Sequence, residues 1–85
     1  MYFKIHRYML LTVFSTLFLE KKHPKCGDYI KIISIEKGKH FVGIEGQVIP
    51  FKKGHLALEK ENVKYIISLA QNKVQYEMNG QKFKI

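Results

Sequence analysis

The stretch from Lys73 to Ile85, KVQYEMNGQKFKI, leaves this chain the least conformational freedom. Asn79-Gly80 stands between two runs that alternate apolar and polar residues. A two-residue hairpin turn of the I′ type needs positive φ at both central residues, and Asn-Gly accepts that at least cost. Such a turn pairs Met78 with Gln81, Glu77 with Lys82, Tyr76 with Phe83, Gln75 with Lys84 and Val74 with Ile85. The twofold period of a strand then gathers Val74, Tyr76, Met78, Phe83 and Ile85 on one face. Gln75, Glu77, Lys82 and Lys84 fall on the other, with an opposite-charge pair across the strands. Turn chemistry and hydrophobic pattern agree, which fixes the register.

The chain upstream reads as more short strands. DYIKIISIE (Asp28 to Glu36) is five-ninths Ile and Tyr, and its alternation slips at Ile32-Ile33. The slip predicts a bulge or burial on both faces. KGK turns the chain, and HFVGIEGQVIPF (His40 to Phe51) is expected as the second strand, with Val42, Ile44 and Val48 on one side. Gly43 and Gly46 within it mark a sharp bend or a close backbone approach. Pro50 has no N–H for the ladder, so it ends the strand or lies at an edge. KKGH is a turn, LALE (Leu56 to Glu59) a short strand, KEN a tight turn, and VKYIISL (Val63 to Leu69) an alternating strand. Strands at roughly 8–12-residue spacing joined by tight turns predict a small antiparallel barrel or sandwich.

Eighty-five residues make one small domain. A chain of this size buries roughly 60–65% of its unfolded surface, so an active-site cavity competes with its one core. Fourteen Lys and one Arg face seven acidic residues, for a formal charge of +8. That excess attracts polyanions or anionic membrane surfaces. Lys is a point charge on a flexible stem, which suits phosphate contacts better than bidentate base readout. A coding sequence rich in A and T produces the same abundance of Lys, Ile, Phe and Asn. Cys26 is the lone cysteine and excludes an intramolecular disulfide, in keeping with a cytoplasmic location.

Residues 1–26 form a separate apolar N-terminal segment. Its stretch from Tyr8 to Leu19 is interrupted by Thr12, Ser15 and Thr16. Three readings remain open. Packed on the domain, it is a helix with one narrow polar face or an added strand. As a signal peptide it has a charged start in Lys4 and Arg7 and the right apolar length, but no small-x-small cleavage site. As a membrane span it is shorter than the roughly 20 residues required.

GDYIKI, starting at Gly27, followed by GIEGQV, starting at Gly43, resembles the pattern of KOW-type SH3-like barrels of ribosomal proteins and transcription elongation factors. The likeness falls on Gly27 and Asp28, Ile30 and Ile32, and Gly43, Gly46 and Val48. It implies a steeply coiled five-stranded barrel over residues 27–85 and a place in a ribonucleoprotein or transcription assembly. Gly27 and Gly43 stand sixteen positions apart, wider than the compact pattern, because a SIEKGKHF ribbon intervenes.

Three basic clusters fall in expected loops: Lys21, Lys22, His23 and Lys25; Lys37, Lys39 and His40; Lys52, Lys53 and His55. Loops gathered at one end of a small barrel form a patch that tracks a phosphate backbone, with Phe41, Phe51 or Tyr29 for stacking. Lysines in turns are also ordinary solvated residues. His23 and Cys26 stand at His-x-x-Cys spacing, which is one knuckle where zinc needs two. Cys26 reads as a small buried or half-buried residue at a strand start. The glutamates alternate with lysines as a solvated face does, and no nucleophile elbow or phosphate-cradling glycine loop is present.

The expectation is a mainly β protein: a small antiparallel SH3-like barrel with an N-terminal helix or extra strand. It is expected to be non-enzymatic, without metal or cofactor, and to bind nucleic-acid backbone, RNA ahead of DNA. The expected contacts are Lys21, Lys22, Lys25, Lys37, Lys39, Lys52, Lys53, His55 and Phe41. The alternatives are a protein-interaction module for an acidic partner or a homodimer, and a small protein exported or membrane-associated through residues 1–20.

Overall fold

The computed structural model describes residues 19–85. The readings of residues 1–18 as helix, strand or signal lie outside the described residues. The strands are β1 (Glu20–Lys21), β2 (Tyr29–Ile35), β3 (Glu45–Ile49), β4 (His55–Lys60), β5 (Val63–Ser68), β6 (Val74–Met78) and β7 (Gln81–Lys84). They form one sheet in the order β1-β7-β6-β2-β3-β4-β5. The chain is mainly β, as expected, but the strands do not make the expected wholly antiparallel barrel. The sheet is open, and it is mixed, because β1 runs parallel to β7. No helix among the described residues is long and apolar enough to cross a membrane.

The C-terminal hairpin has the register that its turn dictates, with Met78 opposite Gln81 and Gln75 opposite Lys84. Asn79 and Gly80 take φ of 53° and 79°, both positive as the I′ turn requires. Val74, Tyr76 and Phe83 are buried, with Met78 and Ile85 packed beside them. Glu61 and Asn62 turn β4 into β5 in the same way, with φ of 52° and 66°.

The slip in β2 is a bulge. Ile32 pairs with Tyr76 and Ser34 with Gln75, so Ile33 is the extra residue. Its physical effect is a reset of phase. Ile30 and Ile32 point inward with the ordinary period of two, and the added residue brings Ile35, rather than Ser34, back to the core.

The second strand is shorter than its sequence suggests. Gly38, at φ 92°, leads into a 3₁₀ turn over Lys39–Phe41, closed by Phe41 N–H donating to the Gly38 carbonyl. Gly43, at φ 90°, bends the chain back, and its N–H donates to Ile32 O at 2.8 Å. The detour folds Phe41 and Ile44 onto the core and leaves Val42 exposed, so Val42 does not share a face with Val48. Gly46 serves the close approach: a Cβ there would meet Glu59 O of β4 at 2.8 Å.

One core joins the two halves of the sheet. Ile30, Ile32, Leu56, Leu58, Ile67, Val74 and Tyr76 are essentially inaccessible. Each such side chain contributes about 1.5–3 kcal/mol relative to leaving it in water. The segment between β1 and β2 is strapped to this core. The Tyr76 hydroxyl donates to the Lys22 carbonyl at 2.6 Å, Lys22 N–H donates to Lys84 O at 2.8 Å, and Pro24 is buried. The strap ends in a turn from Lys25 to Asp28, with Gly27 at φ 96°. The Asp28 carboxylate accepts the Lys25 N–H at 2.9 Å, which gives the Gly-Asp pair its local reason.

Candidate nucleic-acid interface

The strap and the β3–β4 loop meet at one end of the sheet. Gly27 N–H donates to Val48 O, and Val48 N–H to Asp28 O, holding the strap's turn against the end of β3. Between them lies a cleft of about 200 Å³. His23, Pro24 and Cys26 line one side, and Phe51, His55 and Leu56 are among the residues on the other. His23 of the first basic cluster and His55 of the third therefore line one cleft. Lys25 stands in the turn between cleft residues, and Lys52 and Lys53 lie in the loop between Phe51 and His55.

Phe51 is 48% exposed, well outside the core cluster. Its ring meets His55 edge-on, with centroids 5.7 Å apart. The Lys52 ammonium lies 5.9 Å from the Phe51 centroid. His55 Nδ1 lies 3.3 Å from the Lys53 carbonyl, which orients the imidazole. Cys26, expected to be buried or half-buried, is exposed because it sits in the turn rather than in β2.

Lys37 approaches the same end through Asn72. The Asn72 amide accepts from Lys37 N–H at 2.9 Å and donates to Lys37 O at 3.0 Å and Ser68 O at 2.9 Å. Leu69 N–H, from the peptide unit of that Ser68 carbonyl, donates to Gly54 O at 2.9 Å. This chain of bonds keeps the Lys37 and Gly54 carbonyls within about 11 Å of one another, given standard peptide dimensions. Nothing in the sequence pattern singles out Asn72, since its partners lie 35 residues away as well as next door.

The other candidates lie apart. Lys21 is in β1 against Lys84, and the Lys22 ammonium sits 5.1 Å from the Phe83 ring centroid. Lys39 is in the 3₁₀ turn with His40 and Phe41. Phe41 is half-buried against the core with its ring 4.1 Å from that of His40, so it is no free stacking platform. Among the described residues, Tyr29 and Phe51 are the exposed Tyr and Phe side chains.

Asp28 puts one carboxylate in the same turn as Lys25, and none of Lys25, Lys52 and Lys53 is in an ion pair among the described residues. Among the described residues the one ion pair is Lys60 with Glu45, at 3.0 Å. It lies at the start of β3, whereas the cleft lies at its end. Its hydrogen bond holds the Glu45 carboxyl below the usual carboxylate range and the Lys60 ammonium above the usual lysine range. No group of three or more His, Cys, Asp or Glu residues among the described ones is placed to hold a metal ion. No family model, no curated protein and no solved structure matches the chain.

Proposed function

We propose that the chain is a non-enzymatic binding module that holds nucleic-acid backbone where the strap meets the β3–β4 loop. One observation carries this reading: the exposed Phe51 lines a cleft with His23 and His55, and Lys25, Lys52 and Lys53 adjoin its lining residues in the chain. Lysine side chains bind phosphates by releasing condensed counterions. The nearly arginine-free composition suits contacts to backbone rather than to base edges.

The run β6-β2-β3-β4-β5 supports an SH3-like core, because a four-stranded meander is followed by a strand returning beside its first. On this reading β7 and β1 are additions that leave the sheet open. The KOW resemblance on Gly27, Asp28, Gly43, Gly46 and Val48 ranks RNA ahead of DNA. The lone Cys26 favours a cytoplasmic location.

The test is titration of mixed-sequence RNA and DNA at several salt concentrations. Affinity falls steeply with salt, and changing Lys52 and Lys53 together to Gln lowers the single-strand slope by about 1.4, at 0.7 per phosphate. The loss is similar for all sequences. Failure to bind either polymer at low salt removes the proposal. A second reading then leads, a protein-interaction module for an acidic partner or a second copy. It is favoured by β5, an edge strand among the described residues with Val63 and Ile66 exposed.

A further inference from the structure

We infer that the cleft seats one unpaired base, so that the module selects single strands and Phe51 with His55 forms the base-contacting wall. This rests on the nucleic-acid reading and adds to it what the site excludes. A cleft of about 200 Å³ is below the roughly 300–1,000 Å³ of drug-sized pockets, and it suits a single planar ring system. Its accessible lining is somewhat more polar than apolar, with Pro24, Pro50 and Phe51 beside His23 and His55. At the rim, Phe51 is half exposed and lies at 65° to His55. Two rings so disposed give a base one face to stack on and one edge to meet.

His55 supplies the polar contact. In the neutral imidazole with Nδ1 donating to the Lys53 carbonyl, Nε2 is an acceptor for an exocyclic amine or ring N–H. The same loop carries the phosphate-binding charge, for Lys52 stands next to Phe51 and Lys53 two residues before His55. A base in the cleft therefore has its own phosphate beside cations. A base within a duplex is stacked on both faces and paired at its edge, so it cannot enter. Aromatic stacking is sequence-tolerant, and the site accepts any base that fits.

The experiment measures fluorescence anisotropy with the full chain and three probes: a labelled single-stranded RNA, the same RNA as a duplex, and the labelled single strand competed by inorganic polyphosphate. The variants are Phe51→Leu, which keeps apolar bulk and loses the π-face, and Lys52→Gln with Lys53→Gln. Phe51 lies outside the core cluster, and circular dichroism melting confirms that Phe51→Leu folds. Wild type binds the single strand more tightly than the duplex. Phe51→Leu weakens single-strand binding on the order of 5- to 150-fold, the range for loss of one stacked base. It leaves the salt slope, duplex binding and polyphosphate competition unchanged. The double lysine variant weakens every probe and flattens the slope. Unchanged single-strand affinity in Phe51→Leu, or equal wild-type affinity for single strand and duplex, overturns the base site and leaves the backbone reading standing. No binding of any probe at low salt overturns both.

Discussion

Replacing Tyr76 with Phe isolates the bond that straps the segment before β2 to the core. The ring of Tyr76 is fully buried and packs on Phe83 with centroids 5.6 Å apart, and Phe preserves both features. What is lost is one hydrogen bond, from the hydroxyl to Lys22 O at 2.6 Å. Such a bond contributes about 0.5–1.5 kcal/mol net. The bond is only part-buried, so the loss stays nearer that range than the full desolvation penalty of a buried group. For a domain this small, about 1 kcal/mol lowers the melting temperature by roughly 4–8 °C. The phenol adds a pH signature. Burial raises its pKa, with smaller contributions from the charges of Asp28 and Glu20. Between the unfolded value near 10 and the raised folded value, the unfolded chain binds fewer protons than the folded one. Stability is therefore fully present below pH 10 and is lost as pH rises through the folded pKa. The assay is urea denaturation of both proteins at pH 7, 9 and 11. Wild type is the more stable at pH 7 and 9, and its advantage narrows at pH 11, since the Phe variant has no phenol to ionise at this site. Equal stability at pH 7, or an advantage that grows at pH 11, would refute the strap bond as described.

Three further outcomes follow from the same geometry. Gly46→Ala drives a Cβ into Glu59 O at 2.8 Å, a backbone atom that cannot swing aside, and costs about 1–3 kcal/mol in denaturant midpoint; a variant as stable as wild type would remove the close approach of β3 to β4. Gly80→Val has open space around its Cβ but sits at φ 79°, so it costs on the order of 1 kcal/mol or more through backbone strain alone. Glu45→Gln leaves neutral-pH stability nearly unchanged because the pair with Lys60 is exposed. Wild type carries an acid-side loss as pH falls through the lowered Glu45 pKa, and the Gln variant lacks it; identical acid limbs in the two proteins would contradict that role.

Local chemistry by itself determined the C-terminal hairpin, because Asn79-Gly80 and the cross-strand pairs around it are next to one another in the chain. The bulge in β2 was legible too, since Ile32-Ile33 breaks a period of two within a single strand. The sequence marks Gly43 and Gly46 as a bend or a close approach, and the structure assigns the bend to Gly43 and the close approach to Gly46. The loop clusters could be read as clusters, but not which of them meet. His23 and Cys26 share a cleft with Phe51 and His55 because the strap's turn is held to β3 by hydrogen bonds across twenty residues of chain. The Lys37 backbone is tied through Asn72 to Ser68 at the end of β5, contacts that only the folded chain brings together. Phe41 and Phe51 look alike in sequence. The 3₁₀ turn folds Phe41 onto the core, whereas Pro50 ends β3 and leaves Phe51 at the surface. The parallel pairing of β1 with β7 is likewise tertiary: it joins residues more than sixty positions apart, beyond the reach of any turn signal.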